Sequence, residues 1–356
     1  MAREPGQYSE GIPVKEMAPF LIEPIFTARV WGFRDLRPWY DRVAEGEPIG
    51  EVWLTGDDCL VATGPHAGKR LGALFNEEHE SLLGPDSPGP DSPGPNAPVT
   101  DSQLPPGADS PLLIKTIFAK EKLSVQVHPD DKMARKYGQP RGKTECWYAL
   151  EAEPGAKVAV GVKPGTTLAE IEEGIRAGTL EARLNMIPVT AGDMIFVDAG
   201  TVHSIWPGSI LLETQQNCDL TYRMYDYGRP RELHIEKSLE AVRLTSRAGK
   251  VAPLEFADRT VLLDVEYFRI ERIPVSGSRT SESLRGEGGK RGLAYLFAGS
   301  GKARLTGAGF DPVDLPTRAI VAVPAASPEF LLEDVRGAGD RLELIRITPN
   351  WPATTT

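Results

Sequence analysis

The chain has 356 residues, of which 40% are hydrophobic and 25% charged, and a formal net charge of −10. That length buries a full core, as two domains or one large two-part structure. The acidic balance argues against nucleic acid and against an anionic membrane as partners, although a local basic cluster still suits an anionic small substrate.

In chain order, MAREPGQYSEGIPVKEM lacks the apolar segment of a secretory signal, and no later run of 18 apolar residues predicts a membrane span. FLIEPIFTARVWGF (20–33) predicts a strand and a turn, and EVWLTGDD (51–58) another strand. AGKRLGALFNEEHESLLG (67–84) has helical spacing in Leu71, Leu74, Phe75 and Leu82, with Gly84 as a stop. Residues 84–110 repeat a GPDSP unit that cannot pack, so a mobile surface loop is expected there. PLLIKTIFAKEKLSVQVHP (111–129), TECWYALEA and KVAVGVK predict strands. A short helical insertion is predicted over 165–185, capped by Thr167 and striped by Leu168, Ile171 and Ile175. MIPVTAGDMIFVDAGTVHSI (186–205) reads as strand, turn, strand, ILLETQQNCDLTYRMYDYG (210–228) as a long β stretch, and LHIEKSLEAVRL (233–244) as a helix. Beyond 255 the chain is almost all short strands with Gly and Pro turns. The pattern predicts a mainly β protein of two barrel or sandwich units, 1–250 and 251–356. Cys59, Cys146 and Cys218 fit buried, reduced thiols, so a cytoplasmic location is expected.

The chemistry concentrates in a few places. In LSVQVHPDD, strand alternation puts Ser124, Gln126 and His128 on one face and Leu123, Val125 and Val127 on the other. A polar face inside a fold must meet something that offsets its desolvation. Glu145 begins a strand in GKTECWY. In GDMIFVDAGTVH, a turn at Gly192-Asp193, a strand and a second turn at Ala199-Gly200-Thr201 deliver His203 back to the sheet interior. Two imidazoles, a carboxylate and an amide oxygen form a first shell for a divalent ion of the zinc, iron or manganese type. Ligands on separate strands suit a barrel lumen. Singly, each histidine reads better as a satisfied core or rim residue than as a ligand; the Gln-x-His face and the turn-strand-turn-His unit together favour a ligand set. His66, His79 and His234 lack such a context and read as surface or structural. An extended strand puts Asp219, Thr221, Arg223 and Tyr225 on one face, and Lys143 shares the face of Glu145. Inward basic groups need a partner, and a phosphate or enediolate suits Arg223. The plain alternative is a solvated charge or an Asp219–Arg223 ion pair. No histidine follows residue 250, so the C-terminal unit is read as a packing jelly roll without a metal site that covers the cleft.

The spacing from Gly192 through Gly200 to His203 resembles the second cupin motif, with Asp198 where proline is usual. LIKTIFAKEKLSVQVHPDD, GKTECWYAL, GDMIFVDAGTVHSI and LLETQQNCDLTYRMYDYGR, in that order, resemble the type I phosphomannose isomerase family. IEPIFTARVWG and GEVWLTGDD resemble its N-terminal segments, and the likeness covers residues 20 to 245. It implies two cupin jelly-roll barrels in the short bacterial form. It also implies Zn2+ held by Gln126, His128, Glu145 and His203, with Lys115, Lys143, Asp219 and Arg223 lining the site. Gly228 departs from the acidic residue of many members, and the GPDSP repeat matches no family block. The implied reaction interconverts mannose 6-phosphate and fructose 6-phosphate through an enediolate, which a Lewis acid stabilises. In that reading Lys143 and Arg223 stabilise the developing charge, and Asp219, Lys143 or a metal-held water moves the carbon proton. Lys115 and Ser124 are expected at the phosphosugar, a plain strand serine being as good a reading of Ser124. Two rivals stand beside it, a cupin Fe(II) oxygenase and a non-catalytic sugar-binding module. Monomer and homodimer are both open.

Overall fold

The computed structural model describes residues 15–84, 87, 110–285, 291–335 and 342–350. The repeated GPDSP unit therefore lies outside the described residues. The fold is mainly β, with two jelly-roll barrels and small helices on the outside.

The first barrel is a seven-stranded sheet facing a five-stranded one. In the larger sheet the order is Gly249–Val251, Met194–Val197, Glu145–Ala152, Ser209–Gln216, Leu112–Phe118, Ile49–Trp53 and Ile25–Phe33. In the smaller it is Tyr222–Tyr225, Val125–Val127, His203–Ile205, Lys157–Val162 and Leu184–Pro188. Trp31, Ile117, Trp147, Val158, Ile205 and Leu211 pack between them. The second barrel pairs an eight-stranded sheet, which contains Thr260–Asp264, Phe268–Val275, Leu342–Pro349, Ala294–Ser300 and Ile320–Val323, with a four-stranded one. The chain leaves the first barrel at Val251 and joins the second at Leu254. The early strand Phe20–Glu23 also belongs to that eight-stranded sheet, paired with Ile320–Val323. The two large sheets back onto one core that includes Val52, Leu54, Phe75, Tyr148, Tyr295 and Ile345.

Local chemistry explains most element limits. The segment 67–84 is not one helix but two, Leu71–Glu77 and His79–Leu83, broken at Glu78 (φ −125°). The break turns Leu82 onto the same core as Leu71, Leu74 and Phe75, and all four are fully buried. In the insertion, Leu168–Ala177 starts with a capping box between Thr167 and Glu170 and ends at Gly178 in the left-handed region. Ile171 and Ile175 cover the outer face of the five-stranded sheet, whereas Leu168, in the first turn, is exposed. Among the described residues, no helix is long and apolar enough to cross a membrane.

Candidate metal centre

The strand of the sequence LSVQVHPDD is only Val125–Val127, yet the alternation holds where it matters. Val125 and Val127 point outward under the helices, and Gln126 faces the lumen, opposite His203 in register. Leu123 precedes the strand and packs inside the barrel instead. Across the lumen, Glu145 opens its strand opposite Val197. The turn before His203 needs Gly200, whose φ is +89° and whose N–H donates to His128 O at 2.9 Å. Asp198, at the usual proline position, closes the same turn by accepting from Thr201 Oγ1 at 2.7 Å.

These elements bring His128, Glu145 and His203 together, all buried, with one ligand atom of each within 4.8 Å of the others. His128 Nε2 is 3.5 Å from Glu145 Oε2, and His203 Nε2 is 3.3 Å from Glu145 Oε1. His128 Nδ1–H donates to Leu220 O and His203 Nδ1–H to Thr201 O, each at 2.9 Å. Those bonds leave both Nε2 lone pairs aimed at the carboxylate. Burial pushes both imidazoles down, His203 to about 4 and His128 well below its usual range, so both are neutral. His128 Nε2 and both Glu145 oxygens are consequently buried acceptors without a hydrogen-bond partner. Buried acceptors facing one another, with Lys143 reaching only Glu145 Oε2, call for a cation between them. The Gln126 amide lies 3.2 Å from His203 Nε2, and its Oε1 accepts from Ser124 Oγ at 3.3 Å. His128, Glu145 and His203 thus supply three donors of the kind a divalent ion of the zinc type takes, and Gln126 joins them as a fourth only with its amide turned to present Oε1 in place of the nitrogen that faces His203 here.

No protein-family model matches the chain. It is 31% identical over 299 residues to the probable mannose-6-phosphate isomerase GmuF of Bacillus subtilis, covering 80% of this chain and 87% of that one. It is 33% identical to mannose-6-phosphate isomerase ManA of the same organism, over 73% of this chain and 80% of that one. The chain belongs to the mannose-6-phosphate isomerase family. The crystal structure of the mannose 6-phosphate isomerase from B. subtilis matches it with a TM-score of 0.76 at 27% identity, over 93% of this chain and 99% of that one. A mannose 6-phosphate isomerase bound with zinc and yttrium shares the fold, with a TM-score of 0.68 at 14% identity over 94% of this chain and all of the other.

In this member of the mannose-6-phosphate isomerase family, the residues around the trio form a charged ring. Lys143 Nζ sits 3.1 Å from Glu145 Oε2. Arg223 lies opposite Gln126 in register; its Nη1 donates to Glu232 O, while its Nε is buried without a partner. Lys115 is enclosed by carboxylates: Glu213 at 2.9 Å, Glu51 at 3.7 Å and Asp219 at 3.9 Å. Burial alone would raise the Glu51 carboxyl, but Lys115, Arg29 and Trp53 hold it down to about 2. Asp219 does not share a strand face with Arg223, because the strand begins at Tyr222. It sits half-exposed at the mouth, near Lys115 and Arg29. Ser124 is buried and occupied by Gln126.

Glu213, Glu51 and Arg29 were not foreseen. Glu213 sits between inward-facing Leu211 and Gln215, takes Lys115, and accepts from Trp147 Nε1 at 2.9 Å. Alternation in LLETQQ was the available signal, but which face turns inward depends on pairing with Leu112–Phe118, a segment far away in sequence.

Proposed function

We propose that this chain interconverts mannose 6-phosphate and fructose 6-phosphate, with a zinc ion held by Gln126, His128, Glu145 and His203. The observation that supports it is the set of unpartnered buried acceptors on His128 and Glu145, found in a chain of the mannose-6-phosphate isomerase family. When bound, the ion supplies Lewis-acid stabilisation of the sugar oxygens on which enediolate charge develops.

The chain's own residues do the rest. Arg223, in register with Gln126, has a buried Nε–H without a partner, and a substrate oxyanion would give that donor the partner it lacks. Lys143, buried against Glu145, adds fixed positive charge where negative charge grows. Glu51, Glu145 and Glu213 are buried, whereas Asp219 is exposed and loosely held, which suits it to carry the carbon proton. Lys115 holds Asp219 at the mouth, and Ser124 fixes the Gln126 amide. Three free, buried cysteines accord with work in a reducing cytoplasm, where phosphosugars occur. The oxygenase reading is not favoured, since the relatives are isomerases.

The test is turnover of mannose 6-phosphate by the zinc-reconstituted chain, with elemental analysis, before and after His203→Ala. Losing several kcal/mol of charge stabilisation lowers kcat by about a thousandfold, with zinc content falling in parallel and the circular dichroism unchanged. An unaltered rate would take His203 out of the ligand set. Zinc-dependent binding of the sugar with no conversion would leave only a binding module.

A further inference from the structure

The second barrel has a lumen of its own that takes no part in the chemistry above. It holds a cavity with about 430 Å³ of empty space, open mouth included, with Leu296 and Phe330 among its apolar lining. Its polar lining includes Ser281 and three arginines, Arg285, Arg291 and Arg346, and no carboxylate lines it among the described residues.

The cavity lies where the first barrel has its metal centre. There, the turn bond Asp193 N–H to Thr190 O, the strand Met194–Val197 and the turn bond Thr201 N–H to Asp198 O deliver His203. In the second barrel, Ala319 N–H to Pro316 O, the strand Ile320–Val323 and Ser327 N–H to Pro324 O deliver Glu329 in the same way. Val197 faces Glu145 in register, and Val323 faces Ala294. The position of the metal-facing glutamate is therefore an alanine in the cavity wall, and the position of His203 is Glu329.

Glu329 is already engaged. Arg285 and Arg291 donate to its Oε1 at 2.6 and 3.1 Å, and Ser281 Oγ donates to its Oε2. Arg346 is about nine-tenths buried and donates through Nη1 to Glu271 Oε2 at 2.6 Å. Glu271 also serves Arg259 and Arg269. Arg259 and Arg269 have Asp258 and Asp264 as further partners, so of the three guanidinium groups on Glu271 only Arg346, the one that lines the cavity, depends on it alone. Burial weakens the Arg346 cation; Glu271 supports it, and the like charges of Arg259 and Arg269 weaken it again. Each guanidinium carries five N–H donors in a planar fork, more than these bonds use, and the fork matches phosphate oxygens.

We propose that the lumen of the second barrel binds a compact oxyanion, a phosphate either free or carried by a small organic molecule, on Arg346, Arg285 and Arg291. The catalytic lumen also attracts phosphate, so the test is run on the full-length, zinc-loaded Arg223→Gln protein. Inorganic phosphate is titrated by calorimetry at fixed ionic strength. Binding is expected to persist in that protein and to weaken at least about tenfold when Arg285→Ala and Arg291→Ala are added. Arg304→Ala, an exposed arginine of the same barrel paired with Asp314, is expected to change nothing. Should the double replacement perturb the circular dichroism, Arg291→Ala alone, on a half-exposed side chain, carries the comparison. Tighter binding of glycerol 3-phosphate than of inorganic phosphate assigns the site to an organic phosphate; equal or weaker binding assigns it to the free anion. No phosphate binding to the Arg223→Gln protein, or binding indifferent to Arg285 and Arg291, overturns the proposal.

Discussion

In the first barrel, Lys115 faces Glu213 across neighbouring strands; in the second, Glu271 faces Arg346. The two places match. Glu213 pairs onward with Trp147, two residues beyond Glu145, and Arg346 pairs with Leu296, two beyond Ala294. The same register therefore holds a buried cross-strand ion pair in each lumen, with its polarity reversed. In the first, acids converge, and although Lys143 lies 3.1 Å from Glu145 Oε2, Glu145 Oε1 and His128 Nε2 still lack a hydrogen-bond partner, so the lumen calls for a cation. In the second, Arg346, Arg259 and Arg269 share the buried Glu271, the last two with Asp258 and Asp264 besides, and Arg346 brings its donors to the lumen. The jelly roll fixes which positions face inward; the residues placed there decide the sign of what enters.

Removing the cation of the first pair should have the greatest cost. Lys115→Met leaves Glu213 and Glu51 facing each other in a buried site, and unpairing a buried charge typically costs about 3–5 kcal/mol. Urea denaturation at neutral pH measures it. A loss below about 1 kcal/mol would mean that Arg29 and Trp147 satisfy the two acids without the lysine. The sign with pH is set by Glu51, held at about 2 against an ordinary 4.5. Its contribution is complete above pH 4.5 and is lost as pH falls through 2.

The matching change in the second barrel is expected to be milder. In Glu271→Gln, Arg259 keeps Asp258 and Arg269 keeps Asp264, so Arg346 alone loses its carboxylate. We expect a loss of about 1–3 kcal/mol by urea denaturation. Turnover of mannose 6-phosphate is expected to stay within about twofold of the unaltered protein, because such buried-pair changes act on stability when they touch no reacting group. A large fall in kcat would show that the two lumens are coupled.

The sequence exposed the two lumens unequally. Gln126 and His128 were legible because alternation within one short strand separates them from Val125 and Val127. His203 was legible because its turn-strand-turn unit is local. Asp219 was misplaced because nothing local marks where the strand begins, and Glu213 and Glu51 were missed because their inward direction is set by strands distant in sequence. The kinship of the barrels was hidden for a plainer reason. Between Thr190–His203 and Pro316–Glu329, little beyond Val197 and Val323, Ala199 and Ala325 coincides. Backbone hydrogen bonds keep the unit, and hydrophobic residues of similar size exchange freely within it.

The smallest expected effect tests that backbone kinship directly. The first turn of each unit holds its residue in the left-handed region: Gly192 at φ +90° in one barrel, Arg318 at φ +64° in the other. A Cβ at Gly192 meets nothing within 4 Å, so Gly192→Ala tests conformation alone and should destabilise by about 1–2 kcal/mol. Arg318 tolerates the same region because its guanidinium stacks on Trp39, 3.9 Å from the ring centroid, and donates to Pro38 O at 2.6 Å. Arg318→Gly relieves the backbone by roughly what the lost stacking removes, about 1 kcal/mol each. Paired urea melts should therefore show Gly192→Ala clearly weakened and Arg318→Gly nearly unchanged. Equal losses in the two variants would mean that Arg318 is held mainly by Trp39, and that the two turns agree in shape without sharing the strain that makes glycine the natural residue of the first.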